Sequence, residues 1–235
     1  MADYVLIHGA WHGSWSWTRV RRLLAAEGHR VFTPTLTGIG ERSHLLSRDV
    51  GLDTHIADVA NLMIWEDLGE IVLVGHSYGG AVARHVADRM PERIRSLVYL
   101  DAFVPDNGKA VCDYLPDNGK TYRELAMAHG DGWKVPPPPV SFIGVNAADA
   151  GWVERQLTMH PLSTLEAPAQ ISGACDHIPA IGYIGAGGHD GPFGRFYAQA
   201  GERGWWQAHL ACSHEVPLDM PNELTALLLR QTPKE

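Results

Sequence analysis

Short apolar runs alternate with helical periodicity through the first hundred residues. Tyr4 to Ile7, Arg30 to Thr33, Ile71 to Val74 and Ser96 to Leu100 read as strands, because each is brief and rich in β-branched or aromatic residues. Between them apolar residues recur at helical spacing: Trp17, Val20, Leu23 and Leu24; then His55, Val59, Leu62 and Met63; then Val82, Val86 and Met90. This βαβαβαβ pattern predicts a parallel sheet with helices on both faces. From Pro105 to about Asp176 the alternation lapses, with Asp106-Asn107-Gly108, Asp117-Asn118-Gly119, Gly130-Asp131-Gly132 and the run Pro136 to Pro139 marking turns. Short helices fit Tyr122 to Ala128 and Trp152 to Leu157, and no strand pattern fits this stretch. The alternation resumes with a strand at Ala180 to Ile184, a helix at Phe193 to Gly201, a strand at Trp206 to Leu210 and a helix at Asn222 to Leu229. The expectation is one α/β core, residues 1–104 and 177–235, with a mostly parallel six-stranded sheet and an inserted cap at 105–176.

Composition narrows the function classes. The chain has 235 residues, 45% hydrophobic and 20% charged, so it can bury a sizeable core and is neither disordered nor fibrous. Its net charge is −8 and its basic residues form no cluster, which argues against nucleic-acid or anionic-membrane partners. Cys112, Cys175 and Cys212 have no CxxC spacing, so neither a disulfide framework nor a zinc ribbon is expected. With no leader-like N-terminus and no run of 18 apolar residues, a cytoplasmic location is expected. A homodimer is left open.

The chemistry concentrates in Val72-Leu73-Val74-Gly75-His76-Ser77-Tyr78-Gly79-Gly80-Ala81, a strand, G-x-S-x-G, then a helix. A nucleophilic serine on so sharp a turn has a strained backbone, so Gly75 and Gly79 must leave room around it. Ser77 then needs a base and an orienting acid, in the chain order Ser, Asp or Glu, His. His214 fits as base, since it follows the last predicted strand and precedes the C-terminal helix. Two aspartates satisfy the order for the acid. Asp101 ends a buried strand, which would hold it firmly, and Asp190 lies in the glycine-rich loop after the next strand. An oxyanion hole would use the backbone N–H groups of Tyr78 and Ala10. His8 and His12 are four apart, but on a strand and loop they share no helical face, so no metal or other cofactor is implied. Trp11, Trp15, Phe103, Tyr122, Trp133 and Trp152 could wall a mostly apolar substrate pocket.

These pieces resemble the α/β-hydrolase superfamily across essentially the whole chain. The similarity is strongest to the small capped branch of plant methyl esterases, hydroxynitrile lyases and bacterial esterases such as pyrethroid and carbendazim hydrolases. It is carried by His8-Gly9-Ala10-Trp11-His12-Gly13-Ser14-Trp15, Pro34 to Arg42, Gly75-His76-Ser77-Tyr78-Gly79-Gly80 and Tyr99 to Pro105. In many members the acid follows the strand before the histidine loop, which points to Asp190. Dehalogenases of similar build use the strand end before the cap, and bacterial relatives often lack the later aspartate, so the resemblance favours Asp101. Hydroxynitrile lyases carry a threonine beside the oxyanion loop and a lysine after the catalytic histidine, where this chain has Gly9 and Glu215. Dehalogenases need an aspartate at the elbow. The implied activity is a serine carboxylesterase acting on a small-molecule, uncharged, aromatic or apolar ester, with the cap gating access. The alternatives are a ligand-binding receptor on the same fold and a hydroxynitrile-lyase-like enzyme.

Overall fold

The strands run in chain order as β1 (Asp3–Ile7), β2 (Arg30–Phe32), β3 (Ile71–His76), β4 (Ile94–Leu100), β5 (Lys134–Val135), β6 (His160–Pro161), β7 (Ala180–Ala186) and β8 (Trp206–Leu210). These belong to a computed structural model that describes residues 1–187 and 191–231. Six of them form one sheet in the order β2-β1-β3-β4-β7-β8, and every pairing in it is parallel. The helices are α1 (Thr18–Ala26), α2 (Leu52–Trp65), α3 (Gly79–Arg89), α4 (Lys120–His129), α5 (Ala150–Gln156), α6 (Leu162–Glu166), α7 (Gly194–Glu202), α8 (Val216–Asp219) and α9 (Pro221–Leu229).

The strands read as continuous apolar runs because both faces of the sheet are covered. Tyr4, Leu6, Val72, Val74, Val98 and Leu100 meet Trp17, Val20 and Leu24 of the α1 region and Leu224 and Leu228 of α9. Their alternating neighbours Val5, Ile7, Leu73, Leu97 and Tyr99 meet Ile56, Val59 and Met63 of α2, Val82 and Val86 of α3, and Phe196 of α7. Each fully buried aliphatic chain here contributes about 1.5–3 kcal/mol relative to exposure. β3 extends past the apolar run to His76, since Gly75 pairs with Ile7 and His76 with Leu100.

Residues 105–176 lie between β4 and β7 and hold α4, α5 and α6, so the two helices expected there are present. The expectation of no strand in this stretch is corrected. β5 and β6 pair antiparallel, Lys134 with Pro161 and Val135 with His160, in a ladder too short for any period to show.

Candidate active site

From β1 the chain crosses to β2 on one side and then to β3 on the other, so the loops after β1 and β3 part at the carboxyl edge and leave a crevice. Ser77 directly follows β3, the loop from His8 to Gly13 follows β1, Asp101 follows β4, and His214 lies in the loop after β8.

Ser77 adopts φ 54°, in the left-handed region that L-residues other than glycine seldom enter. The turn needs its glycines for space. A Cβ on Gly75 would stand 2.4 Å from the Gly79 carbonyl oxygen, and one on Gly79 would stand 2.6 Å from that of His8. The strained residue is held on both sides: Ser77 N–H donates to Leu100 O at 3.2 Å, and Ser77 O accepts from Gly80 N and Phe103 N at 3.0 and 3.1 Å.

His214 Nδ1 donates to Asp101 Oδ2 at 2.6 Å, which fixes the ring's orientation and leaves Nε2 as its other nitrogen. Asp101 is itself fixed: its N–H donates to Ile184 O at 2.7 Å, and its Oδ1 accepts from Ala186 N at 3.1 Å. Asp190 lies outside the described residues. The His214 ring stacks on Phe193, with centroids 4.6 Å apart and planes at 6°. Its carbonyl accepts from His76 Nε2 at 2.9 Å. Burial holds His76 down to about 4, against the usual 6.5, so it is a neutral donor to that carbonyl near neutral pH.

The N–H groups of Ala10 and Tyr78 donate to no acceptor among the described residues. Tyr78 itself is anchored through its hydroxyl, which donates to His55 Nδ1 at 2.8 Å while His55 Nε2 donates to Thr37 O. Burial holds His55 down to about 4, which keeps that acceptor free of a proton. Trp11, beside Ala10, has φ 64° and spends every polar group on the segment between β4 and β7. Its N–H donates to His160 Nδ1 at 3.3 Å, its indole N–H to Val135 O at 3.1 Å, and its carbonyl accepts from Thr158 N at 3.1 Å.

Ala10, Trp11, Ser77, Tyr78, Asp101, Phe103 and His214 line one cavity of about 390 Å³, within the range of small-molecule sites. Its walls are mostly apolar, with Val111, Leu115, Tyr122, Phe142, Ile143 and Leu165 contributed by the segment after β4. Three expected wall residues, Trp15, Trp133 and Trp152, stand elsewhere. Trp133 packs under the cations of Arg48 and Lys134, each 5.4 Å from its ring. Trp152, on α5, meets Trp15 edge-on at 5.1 Å, and Trp15 stacks on His12. Sequence reasoning passed over Phe142 and Ile143, although they lie shortly after the Pro136 to Pro139 run that forces an irregular path.

A model of the alpha/beta hydrolase family matches residues 4–227. A carbendazim hydrolyzing esterase from Nocardioides sp. strain SG-4G is 41% identical over 241 residues, covering 97% of this chain and 98% of that protein. Methylesterase 9 of Arabidopsis thaliana is 39% identical over 111 residues, 45% of this chain and 42% of that protein. Among solved structures, an extracellular alpha/beta-hydrolase from a Paenibacillus species superposes with a TM-score of 0.85 at 24% identity, covering 100% of both chains. A pyrethroid hydrolase from Sphingobium faniae superposes with a TM-score of 0.73 at 23% identity, covering 97% of this chain and 96% of that one.

Proposed function

The chain belongs to the alpha/beta hydrolase family and is a carboxylic ester hydrolase, and from that premise we propose a serine esterase mechanism centred on Ser77. The observation that carries it is that Ser77, at the head of α3, and His214, held by Asp101, open on one apolar cavity beside two unbonded amides. Ser77 Oγ attacks the ester carbonyl and His214 Nε2 takes its proton. The Ala10 and Tyr78 N–H groups receive the charge that develops on the carbonyl oxygen. His214 returns the proton to the departing alcohol, and a water activated by the same nitrogen releases the acid from the acyl-enzyme. Asp101 keeps the proton on Nδ1 and stabilises the imidazolium that forms.

The substrate class follows from the walls. A cavity lined by Trp11, Phe103, Tyr122, Phe142 and Leu165 suits an uncharged ester with an aromatic or apolar acyl or alcohol group of small to medium size. Residues 105–176 act as a cap, and the substrate enters beneath them. No described helix is long and apolar enough to cross a membrane. The partner is a small molecule rather than a nucleic acid or a lipid surface.

The test is Ser77→Ala together with labelling of the native protein by a fluorophosphonate. Turnover of a p-nitrophenyl ester should fall at least ~10³-fold in the variant, and the label should map to Ser77. Near-normal turnover by the purified variant would exclude the mechanism, and a Ser77 that never reacts would favour a ligand-binding receptor. Carbendazim, which one relative is named for hydrolysing, belongs in the ester panel.

A further inference from the structure

The residue after His214 is a carboxylate that the mechanism above does not use. Glu215 is fully buried, and neither of its oxygens has a hydrogen-bond partner among the described residues. An ionised carboxylate in that position is costly unless a cation faces it. The group facing it is His12, only 3% exposed, whose Nε2 lies 3.3 Å from Glu215 Oε1.

The protonation of His12 follows from its other nitrogen. Nδ1 lies 2.7 Å from the Ala10 carbonyl oxygen, which can only accept, so Nδ1 carries a proton. A neutral ring would then aim the Nε2 lone pair at a carboxylate, with both groups buried and unsatisfied. A second proton, on Nε2, removes both penalties. We infer that His12 is an imidazolium paired with the Glu215 carboxylate, and that this buried pair positions the oxyanion loop at Ala10 against the loop bearing His214.

The surroundings are consistent with that assignment. Burial opposes charge on both partners, yet each outweighs it for the other, so Glu215 is held down to about 2 and His12 is raised above its usual value. The other titratable groups that act on the pair are His76, His214, His8 and His160. Burial keeps His76, His8 and His160 neutral, and His76 has already given its Nε2 proton to the His214 carbonyl. Among the described residues, His12 is the one ion-pair partner within 4 Å of the carboxylate.

The pair has the right anchors to act as a brace. Glu215 precedes α8 directly: its carbonyl accepts from Leu218 N and Asp219 N at 2.9 and 3.0 Å, and its N–H donates to Ser213 Oγ at 3.1 Å. His12 grips the peptide that follows the Ala10 N–H and stacks on Trp15 with centroids 5.0 Å apart. Charge develops on the substrate oxygen and on the His214 ring in the same step, so the spacing of these two loops matters. A misplacement of about 1 Å at such a site can cost roughly 100-fold in rate.

The inference rests on the proposed roles of Ala10 and His214, but its first readout does not. In ¹⁵N-labelled native protein at pH 7.5, long-range imidazole correlations, with His12 assigned by its loss in His12→Gln, should show both ring nitrogens protonated. In Glu215→Gln the same ring should be neutral, and kcat should fall about 10- to 100-fold with KM changed less than about threefold. Glu215→Asp, which keeps the charge, should restore the imidazolium and part of kcat. A neutral His12 in the native protein overturns the inference, whether or not the variants fold. A folded Glu215→Gln with kcat within about threefold of the native enzyme overturns the positioning role. An active Ser77→Ala would instead sink the esterase mechanism and leave the charge state of His12 as measured.

Discussion

Asp101→Asn is the substitution that separates orientation from everything else at the site. The carboxylate makes two contacts of different kinds, accepting from Ala186 N at 3.1 Å through Oδ1 and from His214 Nδ1 at 2.6 Å through Oδ2. In the asparagine variant the amide oxygen can keep the first contact, so the NH₂ group falls opposite His214. Two donors cannot face one another. The imidazole must therefore turn to the tautomer with its proton on Nε2, and that nitrogen can no longer take the proton of Ser77. The wrong tautomer together with loss of the negative charge beside the developing imidazolium lowers turnover by about 10³ to 10⁴, or about 4–5.5 kcal/mol of transition-state stabilisation. The assay is p-nitrophenyl ester hydrolysis by purified, folded Asp101→Asn and Asp190→Asn, run side by side. The second variant should stay within about tenfold of the native enzyme. If Asp190→Asn is crippled and Asp101→Asn is active, the reasoning from this hydrogen bond fails.

Phe142→Ala, at the mouth of the cavity, should change the ranking of short against bulky esters by about 10-fold or more while fluorophosphonate labelling of Ser77 continues. Trp133→Ala should leave that ranking alone, because its ring lies under Arg48 and Lys134 rather than on the cavity wall. Gly79→Ala forces a Cβ to 2.6 and 2.7 Å from the His8 and Ile7 carbonyl oxygens, which are backbone atoms at the end of β1. Its cost of about 1–3 kcal/mol should appear as a fall in Tm of roughly 2–12 °C by calorimetry. Stability should also fall with acidity in a defined window. Burial holds His8 at about 3 and His55 and His76 at about 4 in the folded protein, so the unfolded chain binds more protons between there and 6.5. Their contribution is complete above pH 6.5 and is lost as pH falls toward 4, at up to about 1.4 kcal/mol per pH unit for each, and urea titrations at pH 7.5 and 5.0 should show it.

The elements most legible from sequence are those whose constraints are local. β3, the elbow and α3 lie within Ile71–Arg89, where an apolar run, two obligatory glycines and helical spacing all act within twenty residues of one another. Chain order alone pointed to His214 as the candidate base. It could not choose between Asp101 and Asp190, because a parallel sheet delivers the ends of β4 and β7 to the same edge and periodicity cannot rank them. What distinguishes Asp101 is a contact 113 residues away in sequence, with His214, and a grip from β7 through Ile184 and Ala186. The aromatic walls failed for Trp133 and Trp152 for a related reason. Residues 105–176 follow no sustained period, so neither the short β5–β6 ladder nor the direction of each indole was encoded in a pattern. Glu215 is the extreme case: a glutamate in a polar loop reads as solvated, and only the fold brings His12 to it.

Backbone strain ties the site to the stability of the sheet. Ser77, Asp101 and Trp11 follow β3, β4 and β1, and all three hold positive φ without being glycine, at about 1–3 kcal/mol each. Against a net stability of about 5–15 kcal/mol this is a sizeable load at one edge. Ser77 and Asp101 are held by carbonyls of the neighbouring strands, Leu100 and Ile184, so their geometry persists as long as the central sheet does. Trp11 is different. Its partners His160, Val135 and Thr158 all belong to the insertion, where pairing amounts to two residues on each strand. Local opening takes place where few buried contacts oppose it. The strained backbone beside Ala10 therefore persists only as long as the insertion stays packed on it, whereas that of Ser77 and Asp101 depends on the sheet alone.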